Sequence, residues 1–346
     1  MTTAPAVVPQ RADVAAWFGE RAAAVDAGAA DVRDGLAWLG AADLLAPAGS
    51  GLPHAVSLVE TVAGECMASA FSLWAQRMVL EYLDLSGDRR GDLDELRAGR
   101  RVGATAMAPA LRDVAGLEPV PVVATPAGDG GLVLDGPIRW ASNLFPGATV
   151  VLPVRLGPEG ERRAIMRIET DRPGVHVAPR PELLALNGTG SSSVTLEGVR
   201  VGEADVLSTD LRGFVDAVRP AFLLVQAAFC VGLAGRSAAE ARARATGQNA
   251  ELAGDAEAVA ARAAEVHDRL HAAAESPAAL GPADLLRLRL DAAHVATEAT
   301  RTEAAVRGGA GYLATSPVAR RLREGAFLPI QSPTEGHLRW ELSRCG

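Results

Sequence analysis

Apolar residues recur at helical spacing through the first hundred positions of the chain. Trp38, Leu39, Leu44 and Leu45 form one apolar cluster. From Leu58 through Cys66 and Met67 to Leu80 the i, i+3, i+4 recurrence runs on without a stop, which predicts one helix. Residues 84–97 are charged and contain Gly87 and Gly91, so a turn and a short surface helix are expected there. Near Arg101 the pattern changes, and Val, Thr, Pro and Gly take over to about Leu207. Apolar runs at 120–123 and 132–134 flank Gly128-Asp129-Gly130-Gly131, a hairpin signal. Further strands are expected at 150–154, 163–168, 174–177 and 193–196, separated by turn residues as in a small barrel or sandwich. After Gly213 the helical pattern returns. Residues 215–240 are apolar almost all round, which predicts a helix buried on several sides. Residues 255–274 set Val259, Val266 and Leu270 against Glu257, Arg262, Glu265 and Arg269. A third helix at 283–307 stops at Gly308-Gly309, and a last one is expected over 333–343.

Helices, then strands, then helices predict an α+β protein with an N-terminal helical domain (1–100), a middle β domain (101–207) and a C-terminal helical bundle (208–346). At 346 residues, two or three structural units are expected. A hydrophobic share of 49% permits a large core. The 34 basic against 42 acidic residues, net −8 and without a long basic run, argue against nucleic acid as a partner.

The three cysteines, Cys66, Cys230 and Cys345, form no CxxC pair; Cys66 and Cys230 lie in apolar helical stretches and read as small buried thiols. So sparse and odd a cysteine count fits a reducing cytoplasm. The first residues lack a basic region followed by a long apolar core, so no signal peptide is expected, and no uninterrupted apolar stretch approaches the roughly 18 residues of a membrane span. His267 and His271 stand four apart on a probable helix. No third ligand is evident in the sequence, so no metal is expected.

Four local motifs then fall in one order. Residues 129–143, DGGLVLDGPIRWASN, resemble the "GDGYxLxGxKxWIxN" segment of the acyl-CoA dehydrogenase superfamily. Residues 186–201, LNGTGSSSVTLEGVRV, are similar to its "lGxrgSxtxxlxfxdVxVP" stretch. Residues 305–312, AVRGGAGY, resemble "QxxGGxGY", and residues 323–326 with 330–339 resemble "RDAK…IYEGTxxIxR". The resemblance spans nearly the whole chain. It implies a helical, β, helical architecture with FAD as cofactor and an acyl-CoA or acyl-carrier-protein thioester as substrate. It also implies a homodimer or tetramer formed through the C-terminal helices, or a hetero-oligomer with a related subunit. In the family the Trp stacks near the isoalloxazine and the hydroxyl two residues on bonds flavin N5; by position these are Trp140 and Ser142. Thr105 heads the stretch matching the flavin loop "TEPxxGSD". Arg242 and Arg244 are the candidates where "RxQFG" meets a pyrophosphate, without its Gln-Phe, and Gly308 and Gly309 match the glycine pair.

The departures bear on chemistry. Removing the weakly acidic α-proton of an acyl thioester needs a carboxylate in a dry pocket, and donors at the thioester carbonyl. Aligning Ile330 and Arg339 to the motif puts Ser332 at the family's Glu and Pro333 at its Gly. A serine hydroxyl is a poor base for this proton. Glu335, three residues on, stands as a substitute base. Equally, Ser332-Pro333-Thr334-Glu335 reads as a capping box with Pro at the first helical position. A base relocated to the helix after the barrel would precede Arg219, where Val218 stands; Asp216 is the nearest carboxylate, and it either acts as the base, caps the helix or pairs with Arg219. The flavin loop reads TAMAPALRD, without the family's Glu and Gly-Ser, and the Gln of the glycine motif is Ala305. Three functions follow from the resemblance: FAD-dependent α,β-dehydrogenation of an acyl thioester, a degenerate subunit paired with a flavin-bearing partner, or a flavin-dependent oxygenase or other redirected activity on the same scaffold.

Overall fold

The computed structural model describes residues 9–46, 50–87, 90–128, 130–157 and 162–345; Asp129, in the expected hairpin, lies outside them. The described helices are α1 (Arg11–Asp26), α2 (Val32–Ala41), α3 (Gly51–Glu65), α4 (Met67–Ser86), α5 (Leu93–Arg97), α6 (Ala108–Val114), α7 (Leu211–Arg244), α8 (Ala253–Glu275), α9 (Pro282–Arg307), α10 (Pro317–Phe327) and α11 (Glu335–Leu342). The strands are β1 (Gly103–Thr105), β2 (Val123–Pro126), β3 (Leu132–Ala141), β4 (Thr149–Leu156), β5 (Arg163–Glu169), β6 (Val175–Val177), β7 (Ser192–Val201) and β8 (Val206–Ser208). Two compact units result: one of Met1–Phe71, Leu184–Gly188 and Leu223–Gly346, the other of Ser72–Leu183 and Thr189–Phe222.

The first unit is helical. Aromatic residues fasten its start, with Trp17 stacked on Trp38 at 5.0 Å and Phe18 edge-on to both. α3 packs on α1 and α8, and α9 packs on α8, α10 and α11. At Gly232 of α7 the helices come close: a Cβ there would stand 2.2 Å from the Glu60 carbonyl oxygen and 2.9 Å from the Ala63 Cβ. The expected single helix from Leu58 to Leu80 is two helices. Cys66 adopts extended backbone (φ −148°, ψ 105°), and the Glu65 carbonyl next to the break accepts instead from Arg320 Nη2 at 2.8 Å. A one-residue break that keeps both apolar faces inward leaves no trace in the periodicity. Cys66 and Cys230 are buried, as expected, and Cys345 is exposed.

The second unit holds one eight-stranded mixed sheet, ordered β6-β7-β3-β2-β4-β5-β8, with β1 beside β4. β1 and β2 run parallel to successive parts of β4, while the remaining pairs are antiparallel. The apolar run expected at 150–154 is buried throughout β4, as a strand covered on both faces requires. Leu134, Ile138, Val150, Leu152, Met166, Ile168, Val194, Leu196 and Val199 close a common core. At Gly136 (φ 129°), beside a register shift of β3 on β7, a Cβ would lie 2.9 Å from the Pro121 carbonyl oxygen; only glycine combines that backbone angle with that approach.

The long helix expected at 215–240 is α7, carrying Pro220 in its first turns. α7 is long and apolar enough to cross a membrane, and 83% of its most apolar window is buried within the protein. α6 and α10 were not expected from the pattern. α6 has Pro109 in its first turn and buries only Ala110 and Leu111, too short an apolar stripe to register as periodicity.

Candidate functional site

The positions singled out by the sequence divide between the units. Thr105, Trp140, Ser142 and Asp216 belong to the second; Arg242, Gly308, Gly309, Ser332 and Glu335 belong to the first.

In the second unit, strand alternation should bury every other residue of β3. The register shift on β7 between Ile138 and Ala141 breaks it, so Arg139 and Trp140 are both exposed before Ala141 turns in. Trp140 is 48% exposed, an indole the core does not need. Ser142 is buried, and its hydroxyl meets that of Ser191 at 2.6 Å; Ser191 in turn meets the Thr189 hydroxyl at 2.7 Å. Three hydroxyls therefore form a chain ending at Ser142. The next residue, Asn143, is fully buried with φ 63°. Its side-chain amide donates to the carbonyls of Ser72 and Gly103, both at 2.9 Å, and its Oδ1 accepts from the Ser72 hydroxyl at 2.7 Å. That full set of bonds fixes the backbone at the end of β3. The Thr105 hydroxyl is bonded to the buried Tyr82 hydroxyl at 3.2 Å. Asp216 is exposed on α7, whose start is capped by Asp210: Oδ1 accepts from the Gly213 N–H at 2.9 Å.

In the first unit the surroundings of Ser332 are polar and buried. Arg289, on α9, is only 1% exposed. Its Nε donates to Gln226 Oε1 at 3.1 Å and its Nη2 to Gln331 Oε1 at 3.0 Å. Nη1 has no hydrogen-bond partner among the described residues. Gln226 Nε2 donates to the Ser332 carbonyl at 2.9 Å. The segment is thus held by amides and a guanidinium where the family motif has a carboxylate. The expected capping box is absent. Thr334 caps α11, accepting from the His337 N–H at 3.3 Å, so the helix starts two residues later than expected. Glu335 opens α11 between basic side chains: Oε1 accepts from Arg339 Nε at 2.8 Å and lies 3.2 Å from His294 Nε2. The Arg339 bond, followed by His294, holds its carboxyl below the usual range.

The remaining positions have local partners. Arg242 Nε lies 2.8 Å from Glu257 Oε2, an ion pair between α7 and α8. Gly308 caps α9 with φ 61°, and Gly309 continues into a short 3₁₀ turn; both serve the helix stop.

Two buried groups here escaped the sequence reading. Arg289 falls among Leu285, Leu286, Leu288, Ala292 and Ala293 on the buried face of α9; a lone arginine at a core position of an amphipathic helix was the available signal. Glu324, on α10, is 3% exposed. Burial pushes its carboxyl up to about 7, against the opposing pull of Arg320. The Arg320 Nε stands 3.6 Å from Glu324 Oε1, and Arg321 donates through Nε and Nη2 to the two carboxylate oxygens of Glu303.

No family model matches the chain, and no curated protein does. Solved structures match over nearly its whole length. Butyryl-CoA dehydrogenase from Megasphaera elsdenii superimposes with a TM-score of 0.83 at 18% identity, covering 99% of each chain. FkbI, for biosynthesis of the methoxymalonyl extender unit of a polyketide immunosuppressant, gives 0.80 at 22% identity, covering 97% of this chain and 98% of its own. A dibenzothiophene monooxygenase from a Paenibacillus species gives 0.72 at 19% identity, covering 96% and 95%. The order of helices and strands, the mixed sheet and these superpositions agree: the chain has the fold of the acyl-CoA dehydrogenases.

Proposed function

We propose that this chain is a flavin-dependent oxidoreductase acting on an acyl thioester, carried by CoA or a carrier protein, and that it takes no proton through position 332. The observation that carries this reading is the surroundings of Ser332: its carbonyl is held by Gln226, which is held by the buried Arg289. A guanidinium beside this segment favours negative charge in a bound molecule. It also makes any carboxylate placed there a weaker acceptor for a proton. Glu335 is equally unsuited, because Arg339 and His294 keep it ionised and a poor acceptor.

An isoalloxazine fits the residues of the second unit. The half-exposed Trp140 offers an aromatic face, and Thr189, Ser191 and Ser142 form a hydroxyl chain. If Thr189 donates to Ser191 and Ser191 to Ser142, the Ser142 proton is left free to donate to a ring nitrogen. When bound, the flavin supplies acceptance of a hydride. The roles left to this chain's own residues are to orient the ring, exclude water and hold that proton.

A second reading has its own observation. Arg242, matched to the pyrophosphate contact, is paired with Glu257, and Gly308 and Gly309 serve the end of α9. A chain with the ring side furnished and the phosphate side spent suits a subunit that completes its site in an oligomer, with its own copies or a related partner.

The test is the visible absorption spectrum of the purified protein, before and after FAD addition and desalting. Retained flavin that bleaches on addition of an acyl thioester supports the oxidoreductase reading. Retention only upon coexpression with a partner chain supports the second. A spectrum that stays flat in both cases overturns both.

A further inference from the structure

The helical unit brings three metal-ligating side chains to one point. Glu60 lies on α3, is 7% exposed and carries its carboxylate at the seam with α8. His267 and His271 lie four apart on α8 and so share one face of that helix. His267 Nδ1 stands 2.9 Å from Glu60 Oε1, and His271 Nε2 stands 2.7 Å from Glu60 Oε2. All three ligand atoms lie within 4.8 Å of one another. The sequence shows only the histidine pair. The third ligand is more than two hundred residues away and is delivered by the packing of α3 on α8.

We infer that Glu60, His267 and His271 form a binding site for a divalent transition metal of the zinc class. Two imidazoles and one carboxylate are the ligand types that zinc takes, and three protein ligands leave one position open to water or an exogenous anion. Zinc binds nitrogen and oxygen at about 2.0–2.1 Å, which sets tetrahedral ligand atoms about 3.3 Å apart. A shared ion opens the hydrogen-bonded separations of 2.7 and 2.9 Å toward that value. With neutral imidazoles the site carries one negative charge. The histidine side chains are 36% and 31% exposed, giving the ion a route in from solvent. Arg11 also faces the carboxylate, its Nη2 3.3 Å from Glu60 Oε1, and its side chain is 57% exposed. It is a competing cation on an exposed side chain that the incoming ion displaces. Bound metal pins α3 to α8, so the apo and loaded forms differ in stability.

The experiment uses the full chain, freed of metal by a chelator and titrated with zinc chloride alone by calorimetry and with cobalt chloride by visible absorption. One equivalent of each should bind, cobalt should give visible bands, and zinc should raise the melting temperature. His267→Gln and His271→Gln should each weaken binding at least about tenfold. Arg11→Ala, which removes only the competing cation, should tighten it. Absence of saturable binding, or affinities unchanged in both histidine variants, overturns the inference. Should a histidine variant fail to fold, an unchanged affinity in Arg11→Ala overturns it as well.

Discussion

The Nε of Arg289 donates to Oε1 of Gln226 at 3.1 Å, and Gln226 is as fully buried as the arginine it serves. Gln226 Nε2 in turn donates to the Ser332 carbonyl at 2.9 Å.

Gln226→Leu strips the acceptor from Arg289 Nε and the donor from the Ser332 carbonyl, and should cost about 1–3 kcal/mol of stability. Arg289→Met should cost a similar amount by orphaning the Gln226 and Gln331 oxygens. The double variant should be more stable than the sum predicts, with a coupling of about 0.5–3 kcal/mol. Urea unfolding of the four proteins measures it; strict additivity would mean the two side chains do not act together.

Gly232→Ala forces a methyl group to within 2.2 Å of the Glu60 carbonyl. Backbone has to shift, so a loss of about 1–3 kcal/mol is expected. The same substitution at Gly235, where nothing lies within 4 Å, should be neutral or stabilising. Paired thermal melts separate the two sites.

Glu324 gives stability a pH dependence. Its folded-state carboxyl, at about 7, holds a proton more tightly than the ordinary value of 4.5 in the unfolded chain. The contribution is therefore complete below about 4.5 and is lost as pH rises through about 7. The decline is on the order of 1–3 kcal/mol. Glu324→Gln should remove that slope, making the variant more stable than the parent at pH 8. Denaturant midpoints across pH 5 to 8 check it.

Trp140→Ala should reduce FAD retention at least about tenfold with little change in melting temperature, because an indole 48% exposed contributes little to the core. Loss of flavin together with loss of fold would instead make Trp140 a structural residue.

The alternation of helices, strands and helices was legible because its segments are long: β4 and α7 bury runs that no surface element would carry. The relations that decide the site were not legible, because each joins distant residues. Beside the break at Cys66, the Glu65 carbonyl accepts from the distant Arg320. The cap of α11 falls on Thr334, since its hydroxyl, and not that of Ser332, reaches the His337 N–H. His267 and His271 were visible as a pair, but their common partner Glu60 was not. Arg289 was visible only as a charge among leucines, and its partners come from α7 and from the segment before α11.

The discontinuity of the helical unit sets a timetable for biosynthesis. Its opening helices, in Met1–Phe71, leave the ribosome long before Leu223–Gly346, the stretch with which they form one unit. At about 5–20 residues per second, the intervening residues take roughly 8–30 s to make. Throughout that interval α3, most of whose residues end up buried, has α1 to pack on but still waits for α8. Apolar surface left waiting is prone to aggregate, and slowing translation of residues 72–222 should lower the yield of soluble protein.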